Sequence, residues 1–222
     1  MWDLWDAPII VWSDSLRRVE GFVQCWPIDS LPASSQRPSR GKYTLSFPSI
    51  VVVTDAGGMG VLIADAVDLF HMELGTFDPS TVSQFRSLFP PYYQCANPMD
   101  LTGSAKTDDM LKAGHLALND PNIDAVIMGL QPIAPGFDDP LTMAKLLTSH
   151  FGPGKTKKPF LIVEFGGTQS ADRLLRTTLK ENGMAVYGSA EEALRGLDKL
   201  MNYVEFLEIQ NKEKKDVMSN DK

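Results

Sequence analysis

Three glycines, Gly57, Gly58 and Gly60, follow a run of β-branched residues and precede an alanine- and leucine-rich helical pattern. The N-terminus of a helix leaves backbone N–H groups without partners, and glycine lets an anion approach them closely. The stretch therefore predicts a phosphate site. The alternative interpretation is that the glycines only allow a tight turn, at which a helix packs closely on a strand.

On the phosphate interpretation, the ligands are backbone amides, with no catalytic side chain and no metal. They belong to Gly57, Gly58, Met59, Gly60 and Val61. Other loops that follow apolar runs are expected to form one crevice together with this turn. They add as candidates Asp55, Asn97, Asp100, Thr102, Gly103, Gly166 and Gly167. Asp55 would place a negative charge near the phosphate, which disfavours binding. Asp100 and Thr102 would either bond neighbouring loop amides or orient an incoming group.

Continuous apolar runs predict the buried strands that position these loops. The runs lie within residues 49–55, 124–130, 159–165 and 184–188, and a shorter one within 94–101 supplies a fifth strand. Helical patterns follow at about 60–72, 80–88, 106–119, 139–151, 168–182 and 189–208. Strand and helix in alternation predict an α/β fold with a doubly wound, five-stranded parallel sheet of flavodoxin-like order. The loops at the carboxyl ends of its strands would share one crevice.

Composition divides the 222 residues into three regions. Residues 1–46 form an irregular N-terminal extension and linker, 47–208 the flavodoxin-like domain, and 209–222 a charged flexible tail. The net charge of −7 disfavours binding to nucleic acid or to an anionic membrane surface, because those partners are bound through concentrated Lys and Arg. No run reaches the roughly 20 apolar residues that span a bilayer.

The termini and cysteines indicate a cytoplasmic protein. Asp3 and Asp6 stand where a signal peptide would carry basic residues. Cys25 and Cys95 lack metal-ligand spacing and are expected to be free thiols.

Four segments together resemble one enzyme family: VVVTDAGGMGVLIADAV, FPPYYQCANPMDLTGSAKTDDM, LNDPNIDAVIM and AVYGSAEEALRGLDKLMNY. In order and spacing, residues 47–208 are similar to the succinyl-CoA-synthetase-like domain of NDP-forming acyl-CoA synthetases, which include the ADP-forming acetate–CoA ligases. Two residues of the glycine loop depart from the family pattern: Asp55 stands where Asn is usual and Met59 where Pro is usual.

The resemblance implies a part in the reaction of acid, CoA and ATP to give acyl-CoA, ADP and phosphate, through a phosphohistidine on another domain. The glycine-rich helix start would stabilise the phosphoryl group electrostatically. This chain alone would bind no cofactor; ATP or ADP with Mg, and CoA, would bind to partner domains. The partners would be a CoA-binding, histidine-bearing domain and an ATP-grasp domain or subunit, and a homo-oligomer stays open.

The remaining interpretations concern alternative functions, the three histidines and the N-terminus. A binding or assembly module that kept the fold is the alternative function, and a flavodoxin-like FMN protein is third. His71, His115 and His150 do not match the family's phosphorylated histidine and are expected to have surface or packing roles. The isolated chain should therefore not make acyl-CoA. The tryptophan-rich N-terminus is either the edge of a preceding domain or a separate extension that packs on this domain or on a partner.

Overall fold

The computed structural model describes residues 48–70, 72–165 and 169–203. Its strands are β1 Ser49–Thr54, β2 Glu73–Leu74, β3 Met99–Asp100, β4 Ala125–Leu130, β5 Phe160–Glu164 and β6 Ala185–Tyr187. Its helices are α1 Gly57–Val67, α2 Pro79–Leu88, α3 Thr107–Asn119, α4 Pro140–Phe151 and α5 Gln169–Glu181. A sixth helix, α6, begins at residue 190 and continues to residue 203.

All named strands pair in parallel, in the order β2-β1-β4-β5-β6, with β3 also paired to β1. The flavodoxin-like α/β prediction is confirmed. The edge position beside β1 differs from the prediction, because two short strands share it. β2 pairs with residues 49–50 and β3 with residues 53–54, so the described sheet has six strands rather than five.

The central strands form because their runs of β-branched and aliphatic residues are buried on both faces. Residues 50–54 and the whole of β4 and β5 are buried, as expected for a parallel sheet covered by helices. Asp78 and Asp139 cap α2 and α4 through their carboxylates, and each is followed by a proline at the first helical position.

Helix α1 differs most from its predicted bounds. It spans Gly57–Val67 instead of about 60–72, so the glycines belong to its first turn instead of to a preceding loop. Because none of them has a positive φ, they are compatible with helical backbone.

Several predictions fall on residues outside those described: the extension 1–46, the tail 209–222, Cys25, His71 and the pair Gly166 and Gly167. The proposed domain boundaries stay predictions. Within the described residues Cys95 is a free thiol, and none of the helices there combines the length and the apolar character that a membrane crossing requires.

Candidate functional site

The start of α1 is open at the carboxyl edge of the sheet. The Thr54 hydroxyl and the amide of Ala56 are 3.1 Å apart, which shapes the turn that follows β1. Ala56 occupies the N-cap and provides no side-chain hydrogen bond, and the first turn of α1 contains no acidic residue. An uncapped helix start of this kind favours an anion.

Only part of the predicted amide set is available there. The amides of Met59 and Gly60 donate to the Ala56 carbonyl at 3.0 and 3.1 Å. Those of Gly57 and Gly58 have no acceptor in the described part of the chain, and both residues are exposed. Val61 lies a full turn along the helix, where its amide belongs to the helical ladder. Of the predicted set, the amides left without an acceptor in the described structure are therefore those of Gly57 and Gly58.

The glycines of this turn have different reasons to be glycine. A Cβ on Gly60 would lie 3.0 Å from Pro98 Cβ and 3.1 Å from Thr54 Cγ2, so this glycine allows close packing. A Cβ on Gly58 would meet nothing within 4 Å. The packing explanation therefore holds for Gly60, whereas the fold makes no steric demand for glycine at Gly58.

Asp100 lies beside the start of α1, because β3 pairs with β1 in the register that sets Asp100 against Thr54. Its Oδ1 accepts from the Thr102 amide at 2.8 Å. Its Oδ2 lies 2.7 Å from the position that a Cβ on Gly57 would occupy. Thr102 has a φ of 60° and its hydroxyl is 2.9 Å from that of Ser104, and exposed Gly103 completes the loop. Asp100, which the sequence placed at the crevice, thus has a carboxylate oxygen directly beside the helix start.

Asp55 is fully buried and bonds towards the loop after β4. Its Oδ1 accepts from the Gln131 amide at 3.1 Å, while its buried Oδ2 has no partner among the described residues. Burial raises the pKa of the Asp55 carboxyl from 3.8 to about 6; Asp100 adds to the rise, and the Gln131 amide opposes it. The sequence expectation of an ionised Asp55 facing the phosphate is therefore replaced by a buried, readily protonated carboxyl.

Asn97 does not join the crevice. Its side chain fills the gap between β2 and β3 along β1. Oδ1 accepts from the Val52 amide at 3.0 Å, and Nδ2 donates to the carbonyls of Ile50 at 2.7 Å and Gly75 at 2.9 Å. These contacts give Asn97 the hydrogen-bonding role of an absent strand residue, so its function is structural.

The end of β5 holds a second buried carboxylate, Glu164. Arg176 of α5 donates to its Oε1, with Nε at 2.7 Å, and forms an ion pair with it. Burial raises the pKa of Glu164, and the hydrogen bond and charge of Arg176 oppose that rise. Glu164 is engaged by this pair, which does not suit a free acid or base.

Two of the three histidines, His115 and His150, lie among the described residues, and both make packing contacts. His115 and His150 contact each other and Phe151. Among the described residues no group of three or more His, Cys, Asp or Glu side chains is suited to a metal ion.

The described residues form a parallel α/β domain in which the uncapped start of α1 lies at the carboxyl edge of the sheet. The model of the Ligase-CoA domain family matches residues 50–172, more than half of the sequence, and the chain belongs to that family.

Two curated relatives come from Pyrococcus furiosus. The α subunit of its ADP-forming acetate–CoA ligase II is 30% identical over 144 residues, which cover 64% of this chain and 31% of that subunit. The α subunit of ligase I is 27% identical over 156 residues, covering 70% of this chain and 32% of that subunit. The chain thus spans about a third of the length of the relatives it matches.

Two solved structures share the fold. PH0766 from Pyrococcus horikoshii OT3 superposes with a TM-score of 0.63 and 25% identity, over 86% of this chain and 40% of that one. The dinucleotide-forming acetyl-coenzyme A synthetase 1 of Ca. Korarchaeum cryptofilum, in complex with phosphate and ADP, superposes with a TM-score of 0.61 and 23% identity, over 72% of this chain and 34% of that one.

Proposed function

We propose that this chain acts as the Ligase-CoA domain of an ADP-forming acyl-CoA synthetase, which converts acid, CoA and ATP to acyl-CoA, ADP and phosphate. Its part is to hold the phosphoryl group while a histidine of another domain carries it. The chain supplies backbone amides and no catalytic side chain. ATP or ADP with Mg, and CoA, bind to partner domains.

The observation that carries the proposal is the uncapped start of α1. The free amides of Gly57 and Gly58 point to solvent at the edge where the loops of a parallel sheet gather. Because Gly58 has no neighbour that a side chain would disturb, its backbone is open to a bulky anion. Fixed donors of this kind stabilise a transferring phosphoryl group without reacting with it.

Asp100 has a second part in the proposed site. Its Oδ2 makes no hydrogen bond in the described structure and lies beside Gly57. A carboxylate there repels free phosphate but accepts an N–H from an imidazole. Asp100 would therefore orient the phosphohistidine, with the phosphoryl oxygens on the α1 amides, and would disfavour an inorganic anion that lacks the ring.

The partners follow from the same reaction. The P. furiosus relatives that the chain matches are named as α subunits, and the chain covers about a third of their length. We infer that a CoA-binding, histidine-bearing domain and an ATP-grasp domain or subunit complete the enzyme, in the cytoplasm, where the Cys95 thiol stays reduced.

Sulfate-dependent thermal stabilisation tests the proposal, because a bound anion raises the unfolding midpoint by mass action. The parent chain should gain a small shift in millimolar sulfate. Asp100→Asn should increase that shift by removing the adjacent charge, and Gly58→Val should abolish it by obstructing the amides.

Leu141→Val provides the control, since it alters an exposed residue at the start of α4, where Asp139 already caps the amides. Its shift should equal that of the parent. If sulfate stabilises neither the parent nor Asp100→Asn, the glycine turn is a packing device and the assembly-module function is favoured.

A further inference from the structure

His115 on α3 and His150 on α4 bring two imidazole nitrogens to one point. Nε2 of His115 and Nδ1 of His150 are 2.7 Å apart, although the residues are separated by 35 positions in the sequence. Their ring centroids are 5.0 Å apart, and the ring of Phe151 lies 4.8 Å from that of His115. His115 is exposed and His150 half-buried, so the facing nitrogens are within reach of solvent.

A single hydrogen fits between two ring nitrogens at this distance. At least one of the facing nitrogens therefore presents a lone pair, and both do when each neutral ring carries its hydrogen on its other nitrogen. Neutral imidazole is the form that metal ions bind.

The separation is close to that of two ligands on one ion. Metal–nitrogen bonds of about 2.0–2.1 Å at neighbouring coordination positions place two nitrogens about 3 Å apart. An N–N separation a few tenths of an ångström longer than the present 2.7 Å, with the rings turned so that both lone pairs face one ion, would give that arrangement. Phe151, packed against both rings, limits the directions in which they turn.

The nearest cation on α3 does not oppose this use of the pair. Lys112 lies one turn before His115 and is held by Asp108, 2.6 Å from its Nζ. Its charge is thus balanced within α3.

We propose that His115 and His150 form a two-histidine site for a divalent transition metal that prefers imidazole, such as copper, nickel or zinc, and that the bound ion joins α3 to α4. Water would fill the remaining coordination positions, because the described residues offer no third suitable side chain. This site is independent of the phosphate function at α1. Affinity should follow the order of divalent metals at nitrogen sites, with copper tightest.

Thermal unfolding of the full chain with NiCl₂ tests the site. A metal concentration about 100-fold above the Kd should raise the midpoint by about 5–10 °C, and EDTA should reverse the rise. His115→Asn and His150→Asn should each abolish it. His71→Asn is the matched control, since it removes the third histidine of the sequence and keeps the pair.

A second measurement uses only the parent chain, so it does not depend on the folding of a variant. Substoichiometric Cu²⁺, added to the parent chain, should broaden the imidazole ¹H signals of His115 and His150 and spare those of His71. The absence of a rise in the parent would overturn the proposal. An equal rise in all three variants, or broadening confined to His71, would place the metal elsewhere and would also overturn it.

Discussion

Two corners of the sheet, each the turn from a strand into the following helix, bury a carboxylate but balance its charge in different ways. The β1–α1 corner buries Asp55 and the β5–α5 corner buries Glu164, each at the carboxyl end of a central strand. Arg176 neutralises Glu164 directly. Asp55 has backbone amides instead of a cation, chiefly that of Gln131, and its pKa rises to about 6.

We call β5–α5 the closed corner and β1–α1 the open corner, because only the first contains a side-chain cation beside its carboxylate. At β5–α5, a side chain of the protein supplies the positive charge that the strand end needs. At β1–α1 the raised pKa lets the buried carboxyl take up a proton as the pH falls towards 6, and no side chain caps the α1 start, whose partial positive charge stays available to an external anion. The open corner can therefore be stable and still present backbone N–H groups that no acceptor in the described structure uses.

Removal of the cation from the closed corner should have the largest effect. Arg176→Met leaves Glu164 buried without its partner and should lower the free energy of unfolding by about 2 kcal/mol, less than for a fully buried pair because the Arg176 side chain is 41% exposed. Urea denaturation at pH 7.5 measures this. Arg173→Met, on the exposed face of the same helix, should change little. If Glu164→Gln combined with Arg176→Met is no more stable than Arg176→Met alone, the charge explanation is wrong.

Removal of the carboxyl from the open corner should have a pH-dependent effect. Because burial raises the folded-state pKa of Asp55 from 3.8 to about 6, the folded protein binds more protons between these values, and the stability contributed by Asp55 is lost as pH rises through 6. The stability of Asp55→Asn relative to the parent should increase by about 1 kcal/mol between pH 5 and pH 7.5.

Urea denaturation at both pH values measures that difference, and any constant cost of a buried amide cancels. Asp65→Asn, an exposed carboxylate on α1, is the control and should show no such increase. An Asp55→Asn advantage that is the same at both pH values would show that Asp55 is ionised throughout.

The smallest effect concerns the glycines of the open corner. Gly58→Ala should raise the free energy of unfolding by about 0.5 kcal/mol, because the unfolded chain loses freedom and the new Cβ meets no atom within 4 Å. Gly60→Ala should be destabilising, since its Cβ would press on Pro98 and Thr54. Thermal midpoints compare the two. A loss of stability in Gly58→Ala equal to that in Gly60→Ala would remove the distinction between them.

The sequence predicted the order of the central elements because each central strand is a continuous apolar run and helix starts such as that at Asp139 carry a capping residue. It could not predict β2, a two-residue strand whose exposed residues carry no apolar pattern. It also could not place Asp100 against Gly57, because that contact depends on the register of β3. The pairing of Glu164 with Arg176 joins residues on successive elements and depends on how α5 packs.

The side chain of Asn97 has a consequence for association between copies of the chain. A long free strand edge invites pairing with another molecule, and such edges are sites of aggregation. Here the edge of β1 is divided between two strands of two residues each, and Asn97 occupies the backbone groups between them. An approaching strand finds no continuous row of donors and acceptors on β1, so one amide side chain helps to keep the sheet from extending into a neighbour.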